Sequence, residues 1–202
     1  YNTDHPAINH PYAIITGSIQ DTFKEDSESL FDIFPNQTKI SPMIVFSFIK
    51  NGSLKSFQSE FTMMQKFIIL YGISAAMNYL HTNDMSHLNL NPENVFLNNQ
   101  LEPIINIDIT SKPKSVKKEP FYLIHSLSNS YISPELLNLE KSRETSEIDE
   151  EKADVYSFGM IAYFLFTGLE PSNSSTESSS IENLIPRPFN ELIQECCFAQ
   201  QI

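Results

Sequence analysis

Residues 87–97 read HLNLNPENVFL, an Asn- and Pro-punctuated loop that runs into a short apolar strand. Asn89, Asn91 and Asn94 with Pro92 favour turns, because Asn side chains bond nearby backbone and Pro presets its own φ. The apolar pieces at 94–97 and 104–109 then predict a two-stranded ribbon. Upstream, residues 59–81 predict a long helix, with Met64, Phe67, Ile68, Tyr71, Ala75 and Leu80 at helical spacing. Downstream, residues 154–167, DVYSFGMIAYFLFT, are apolar almost all round. Such a segment is a buried central helix, since a surface helix keeps one polar face.

The remaining elements follow from punctuation. Residues 43–49, MIVFSFI, predict a strand, closed by a turn at Asn51-Gly52-Ser53. Pro134, followed by Glu135-Leu136-Leu137, suits the first turn of a short helix. Residues 111–130 read as a polar loop, 138–152 as an acidic surface insertion, 172–180 as a Ser-rich linker and 189–199 as a last amphipathic helix. The class is mostly helical with a little sheet.

Composition narrows the functions. The 202 residues carry 13 basic and 25 acidic side chains, a net charge of −12. Nucleic acid and anionic membrane both call for a Lys/Arg surface, so neither is expected as a partner. Arg143 and Arg187 are the two arginines, few for any bidentate clamp on phosphate. The two cysteines, Cys196 and Cys197, are adjacent and make no disulfide framework, which points to a reducing, cytoplasmic compartment. There is no apolar run of membrane-spanning length and no signal pattern at the start. The first residue is not Met, so a fragment is expected.

The order of these pieces resembles the eukaryotic protein kinase family. HLNLNPENVFL resembles its catalytic loop, HRDLKPENILL. SYISPELL (130–137) resembles the end of the activation segment, and ADVYSFGMIAYFLFTG (153–168) the helix that begins D-V-[WY]-S-F-G. ELIQECC (191–197) is similar to a late helix of the family, and PMIVFSFIKNGSL (42–54) to the last small-lobe strand and hinge. The N-G-S-L and the paired cysteines resemble the tyrosine-kinase-like group. The fold class this implies is α+β: a mainly helical kinase C-lobe over residues 50–202, truncated before its last helix. Residues 1–49 would be a remnant of the small lobe, with late strands and hinge.

What the resemblance implies about chemistry is decided position by position. The family uses an Asp to orient and deprotonate the substrate hydroxyl, a Lys near the transferred phosphate, and an Asn and an Asp on Mg²⁺. Asn89 stands at the Asp position and Asn91 at the Lys position. An amide is no general base at neutral pH and supplies no cation. Leu88 replaces the Arg that pairs with activation-segment phosphate. Asn94 keeps its place, but Ile107 falls where the metal-binding Asp belongs, with Asp108 one residue late. Asn94 and Asp108 are therefore the residues left for a metal. Phe46, Ser47, Phe48 and Phe96 are implied around an adenine, with Phe46 at the gatekeeper position. The chain's five glycines are nowhere clustered as a phosphate-covering loop.

Other residues read as scaffold. His87 is expected to pack, Asp154 to cap the central helix and hold the loop backbone, and Glu135 to lack its usual arginine. The expected function is a pseudokinase that binds or scaffolds a protein partner without cofactor. The alternative is an ATP- and Mg²⁺-dependent Ser/Thr or Tyr kinase, with Asp108 on the metal.

Overall fold

A computed structural model describes residues 5–17, 40–57, 60–107, 112–113, 129–142, 148–171 and 185–198. The chain divides into two compact units, Asn9–Phe48 and the remainder, Tyr1–Ile8 with Ile49–Ile202. In chain order the strands are β1 (Ile8–Asn9), β2 (Pro11–Gly17), β3 (Ile40–Phe46), β4 (Met85–Ser86), β5 (Val95–Leu97), β6 (Pro103–Asn106) and β7 (Lys112–Pro113). The helices are α1 (Met63–Thr82), α2 (Pro134–Ser142), α3 (Glu150–Thr167) and α4 (Arg187–Phe198), with a 3₁₀ turn at Asn129–Tyr131.

In the smaller unit β2 pairs antiparallel with β3, Ile14 opposite Ile44 and Pro11 opposite Phe46. The predicted strand 43–49 is therefore displaced toward the N-terminus. Its pairing ends where β2 begins, at Pro11, which has no N–H to extend the ladder. The turn at 51–53 is present: Gly52 has φ +72°, and its N–H donates to the Ile49 carbonyl at 3.1 Å.

In the larger unit α1 starts later than the predicted residue 59, because Thr62 and Gln65 form a reciprocal capping box. The Gln65 N–H donates to Thr62 Oγ1 at 3.3 Å and the Thr62 N–H to Gln65 Oε1 at 2.8 Å. Of the six residues at helical spacing, Leu80 is buried and Phe67 and Ala75 are half-buried. Ile69, Leu70, Ile73, Ala76, Met77 and Leu80 go inward, while Met64, Ile68 and Tyr71 are exposed. Apolar residues surround this helix, so spacing alone did not choose the inner face. At Gly72 an added Cβ would lie 2.8 Å from Pro103 Cδ, which shows how closely α1 packs on β6.

The ribbon forms as β5 antiparallel to β6, Phe96 opposite Ile104, with β1 along the other side of β6. The acidic stretch 138–152 is not one surface insertion: α2 runs through Ser142 and α3 begins at Glu150. Asp149 caps α3, accepting from the Lys152 N–H at 3.2 Å, and Glu150 and Glu151 oppose the helix's positive end. Asp154 is therefore no cap. It lies a turn inside the helix and is 1% exposed. As expected, α3 is central and buried, ending at Gly168 in the left-handed region with φ +70°.

One core joins α1, α3, the ribbon and α4. Phe189 of α4 stacks on Phe67 of α1 at 4.9 Å between centroids and lies 5.0 Å from Phe166 of α3. Where α4 crosses α3, a Cβ on Gly159 would come within 2.7 Å of Cys196 Cβ and 3.1 Å of Cys197 Sγ. A second, smaller cluster gathers Ile132, Leu136 and Ala153 with Leu88, Leu137 and Ile148. No helix among the described residues is long and apolar enough to cross a membrane.

Candidate functional site

The loop 87–94 leaves β4 and is fixed first by Asp154. Its Oδ2 accepts the His87 N–H at 2.8 Å and its Oδ1 the Leu88 N–H at 2.7 Å. His81, in the last turn of α1, places Nε2 2.9 Å from the same Oδ2. A single buried carboxylate thus ties α1, α3 and the loop together by charge-assisted bonds.

His87 is fully buried and acts as scaffold. Its Nδ1 accepts the Asn89 N–H at 3.2 Å, which leaves the proton on Nε2, and Nε2 donates to the Asn106 carbonyl at 3.1 Å. Between these anchors Leu88 takes φ +59°, a conformation costly for a residue with a Cβ. Its side chain packs on the small cluster with Ile132, Leu136 and Ala153. At the position where the resemblance expects a phosphate-pairing arginine, the chain presents a hydrophobic contact.

The three asparagines are bonded to one another. Asn91 Nδ2 donates to Asn89 Oδ1 at 2.9 Å and to the Asn89 carbonyl at 3.1 Å. Asn91 Oδ1 accepts the N–H groups of Glu93 at 2.9 Å and Asn94 at 3.2 Å, an Asx turn that shapes the Pro92-Glu93 corner. Asn94 Nδ2 donates to the Asn89 carbonyl at 2.8 Å. The Asn94 carbonyl in turn accepts from the Asn106 N–H at 2.8 Å, joining the loop to β6. These bonds shape the loop backbone, and Asn91 is buried.

Of the remaining predicted site residues, Phe96 lies half-buried in β5 and bridges to Ser53. Phe46, Ser47 and Phe48 belong to the smaller unit, where Phe46 is half-buried and Phe48 is 91% exposed. Ile107, at the metal-binding Asp position, packs against the main core. Asp108 lies outside the described residues. Among the described residues, no group of three His, Cys, Asp or Glu side chains could hold a metal ion.

Glu135 Oε2 is buried without a hydrogen-bond partner among the described residues. Sequence reasoning missed a polar chain beside the loop. Tyr131 OH donates to Glu170 Oε2 at 2.9 Å, Glu170 Oε1 pairs with Lys55, and the Lys55 N–H donates to the Pro92 carbonyl at 3.0 Å. Burial, and then the Glu93 carboxylate, push the Tyr131 hydroxyl well above its ordinary pKa, so it stays a donor. No local signal pairs residues 55, 131 and 170, whose partners are distant in sequence. The His81 contact did carry a signal, a histidine closing a long apolar helix.

A buried helical core carrying an Asp-anchored H-x-N-x-N-P-x-N loop on a short ribbon defines the protein kinase class. The profile of the protein kinase domain matches residues 28–198, and the chain belongs to that family. It is 24% identical over 170 residues to death-associated protein kinase 2 of Mus musculus and of Homo sapiens, covering 77% of this chain and 41% of each relative. It is 29% identical over 154 residues to a wall-associated receptor kinase-like protein of Arabidopsis thaliana, covering 71% of this chain and 19% of the relative. With the striated muscle preferentially expressed protein kinase of Danio rerio it shares 27% identity over 131 residues, 64% of this chain and 4% of that one. The chain thus spans about two fifths or less of these relatives' lengths.

Proposed function

We propose that this chain is a protein kinase domain that has given up phosphotransfer and works as a cytoplasmic protein-binding or scaffolding module of the tyrosine-kinase-like group. The observation that carries the reading is the Asn91–Asn89 contact. The oxygen standing where the family's base would be accepts a hydrogen bond from the residue standing where its lysine would be. An amide oxygen so engaged takes no proton from a substrate hydroxyl. Leu88 supports the reading, because its packing removes the phosphate-responsive cation at that position. So does Ile107, whose side chain is spent on the core. The unit Asn9–Phe48 corresponds, on this reading, to the small-lobe remnant, and Tyr1–Ile8 with Ile49–Ile202 to the C-lobe.

The second reading, an active ATP- and Mg²⁺-dependent protein kinase, is favoured by Asn94, which keeps the family's metal-ligand residue at that position. One titration separates the two. Under the first reading Mg-ATP leaves the melting temperature unchanged and no labelled phosphate passes to a generic protein substrate. A saturable rise of several degrees together with phosphate transfer lost on Asn94→Ala would sink it.

A further inference from the structure

Of the chain's 17 asparagines, one is followed by glycine, and that one is Asn51. The pair has a chemistry of its own. Glycine carries no Cβ, so its amide nitrogen is free to approach the carboxamide of the residue before it. The reaction is intramolecular and closes a small ring, which needs proximity rather than a catalyst. The Gly52 nitrogen gives its proton to water and bonds to Asn51 Cγ, the Cγ–Nδ2 bond breaks, and ammonia leaves. Water then opens the succinimide at either carbonyl, leaving aspartate or isoaspartate at residue 51. Nothing is oxidised or reduced.

The fold holds both reacting groups. Asn51 Nδ2 donates to the Asn98 carbonyl at 2.7 Å, and the Gly52 N–H to the Ile49 carbonyl at 3.1 Å. The Gly52 carbonyl accepts the Leu97 N–H at 3.0 Å, and the Leu54 N–H donates to the Val95 carbonyl at 2.6 Å, which seats the turn along β5. Freeing either reactant means lifting the turn from that strand. The place also matters. The chain passes from the smaller unit into the larger at Phe48–Ile49, and Asn51 pins the turn that follows. The product cannot repeat the bond, because a carboxylate at 51 has no proton to give and faces the Asn98 carbonyl. Isoaspartate also adds a methylene to the main chain and shifts the Gly52 bonds out of register. We propose that Asn51-Gly52 is a site of spontaneous deamidation, shut by the Asn98 clamp in the folded chain, whose product releases the turn from β5. The inference holds whether or not the chain transfers phosphate.

Peptide mapping of the whole chain, incubated at mildly alkaline pH with and without urea, tests it. In urea Asn51 is expected to convert ahead of every other asparagine, and about tenfold faster than in the folded chain. Isoaspartate is read by an isoaspartyl methyltransferase, which transfers a labelled methyl group to its free carboxyl. Hydrogen exchange reads the consequence. In Asn51→Asp the Leu97 N–H should exchange about tenfold faster than in the parent. The Ile105 N–H, bonded to the Ala7 carbonyl on the β1 side of β6, should keep its rate. Equal conversion of Asn51 with and without urea would overturn the clamp, and another asparagine outrunning it in urea would overturn the site. Unchanged Leu97 exchange in Asn51→Asp, or an equal gain at Ile105, would overturn the local release.

Discussion

Asp154 holds Leu88 by its backbone: Oδ1 accepts the Leu88 N–H at 2.7 Å while the leucine sits at φ +59°. The bond and the strain belong together. A left-handed residue with a Cβ persists only where its surroundings over-determine it. Here the carboxylate fixes the N–H on one side, and the Ile132, Leu136 and Ala153 cluster holds the side chain on the other. The loop therefore owes its shape to groups with no part in phosphate chemistry.

Replacing Asp154 with Asn tests that dependence. The amide keeps the volume but offers one acceptor oxygen to the donors of His87, Leu88 and His81, and turns an N–H₂ toward at least one of them. A buried donor left unmatched costs about 1–3 kcal/mol, so Asp154→Asn is expected to lower unfolding free energy by about 3 kcal/mol. Asp149→Ala, which removes the actual cap, should cost about 1 kcal/mol. Urea melts of both variants check the order. Equal losses would show that Asp154 is no more than a helix-start residue.

Asn91→Lys bears on the asparagine network directly. The substitution removes the oxygen that caps the Glu93 and Asn94 N–H groups and puts an ammonium at a buried position. A loss of about 2 kcal/mol is expected. Adding Asn89→Asp supplies an opposite charge two residues away, so the double variant should recover part of that loss. A double-mutant cycle with a favourable coupling of about 1 kcal/mol is the expected result. Additive losses would mean that residues 89 and 91 no longer speak to each other through their side chains.

Much of this architecture was legible because the strongest signals are short-range. The all-apolar stretch of α3 had to be buried, and Asn, Pro and β-branched residues marked the loop and ribbon around 87–106. What stayed hidden was direction. In α1 apolar residues lie on every side, and tertiary packing, with Gly72 against Pro103 and Phe67 on Phe189, accompanies burial of Ile69, Ile73 and Leu80. The start of α3 was misplaced because Asp149 and Asp154 are both plausible caps in sequence, and only the fold buries the second. At the site, residue types at 88, 89 and 91 displayed the departures from the family's catalytic-loop pattern. They did not reveal that Leu88 joins a hydrophobic cluster or that the three asparagines bond one another, since both depend on the loop's left-handed step at residue 88.

The crossing of α3 and α4 supplies a packing prediction. Gly159→Ala places a methyl 2.7 Å from Cys196 Cβ, and two helix backbones must part to admit it. Overpacking of this kind costs about 1–3 kcal/mol. Gly168→Ala meets nothing within 4 Å but must hold φ +70°, a cost of about 1 kcal/mol from strain alone. Adding Cys196→Gly should rescue the first variant in part and the second not at all. Thermal melts of the four chains decide it, and a rescue of Gly168→Ala would show that the remedy is not local.

The same crossing makes the fold sensitive to alkali. Burial, and then the neighbouring Cys196 thiol, push Cys197 up from an ordinary value of 9.0 to about 12, and burial raises Cys196 in the same direction. Both thiols hold their protons in the folded chain at a pH where the unfolded chain has released them. Their contribution is therefore complete below about pH 9 and is lost as pH climbs from there toward 12. Burial raises Tyr131 and Tyr156 too, and they act with the same sign above about pH 10. Urea midpoints should be level from about pH 7 to 8.5 and then fall. In Cys197→Ser the fall should be shallower, because a hydroxyl does not titrate in this range. Native thiols should also react slowly with a disulfide reagent at about pH 8 and quickly once urea opens the α3–α4 contact. Rapid labelling of both thiols in the folded chain at that pH would refute the buried, protonated pair.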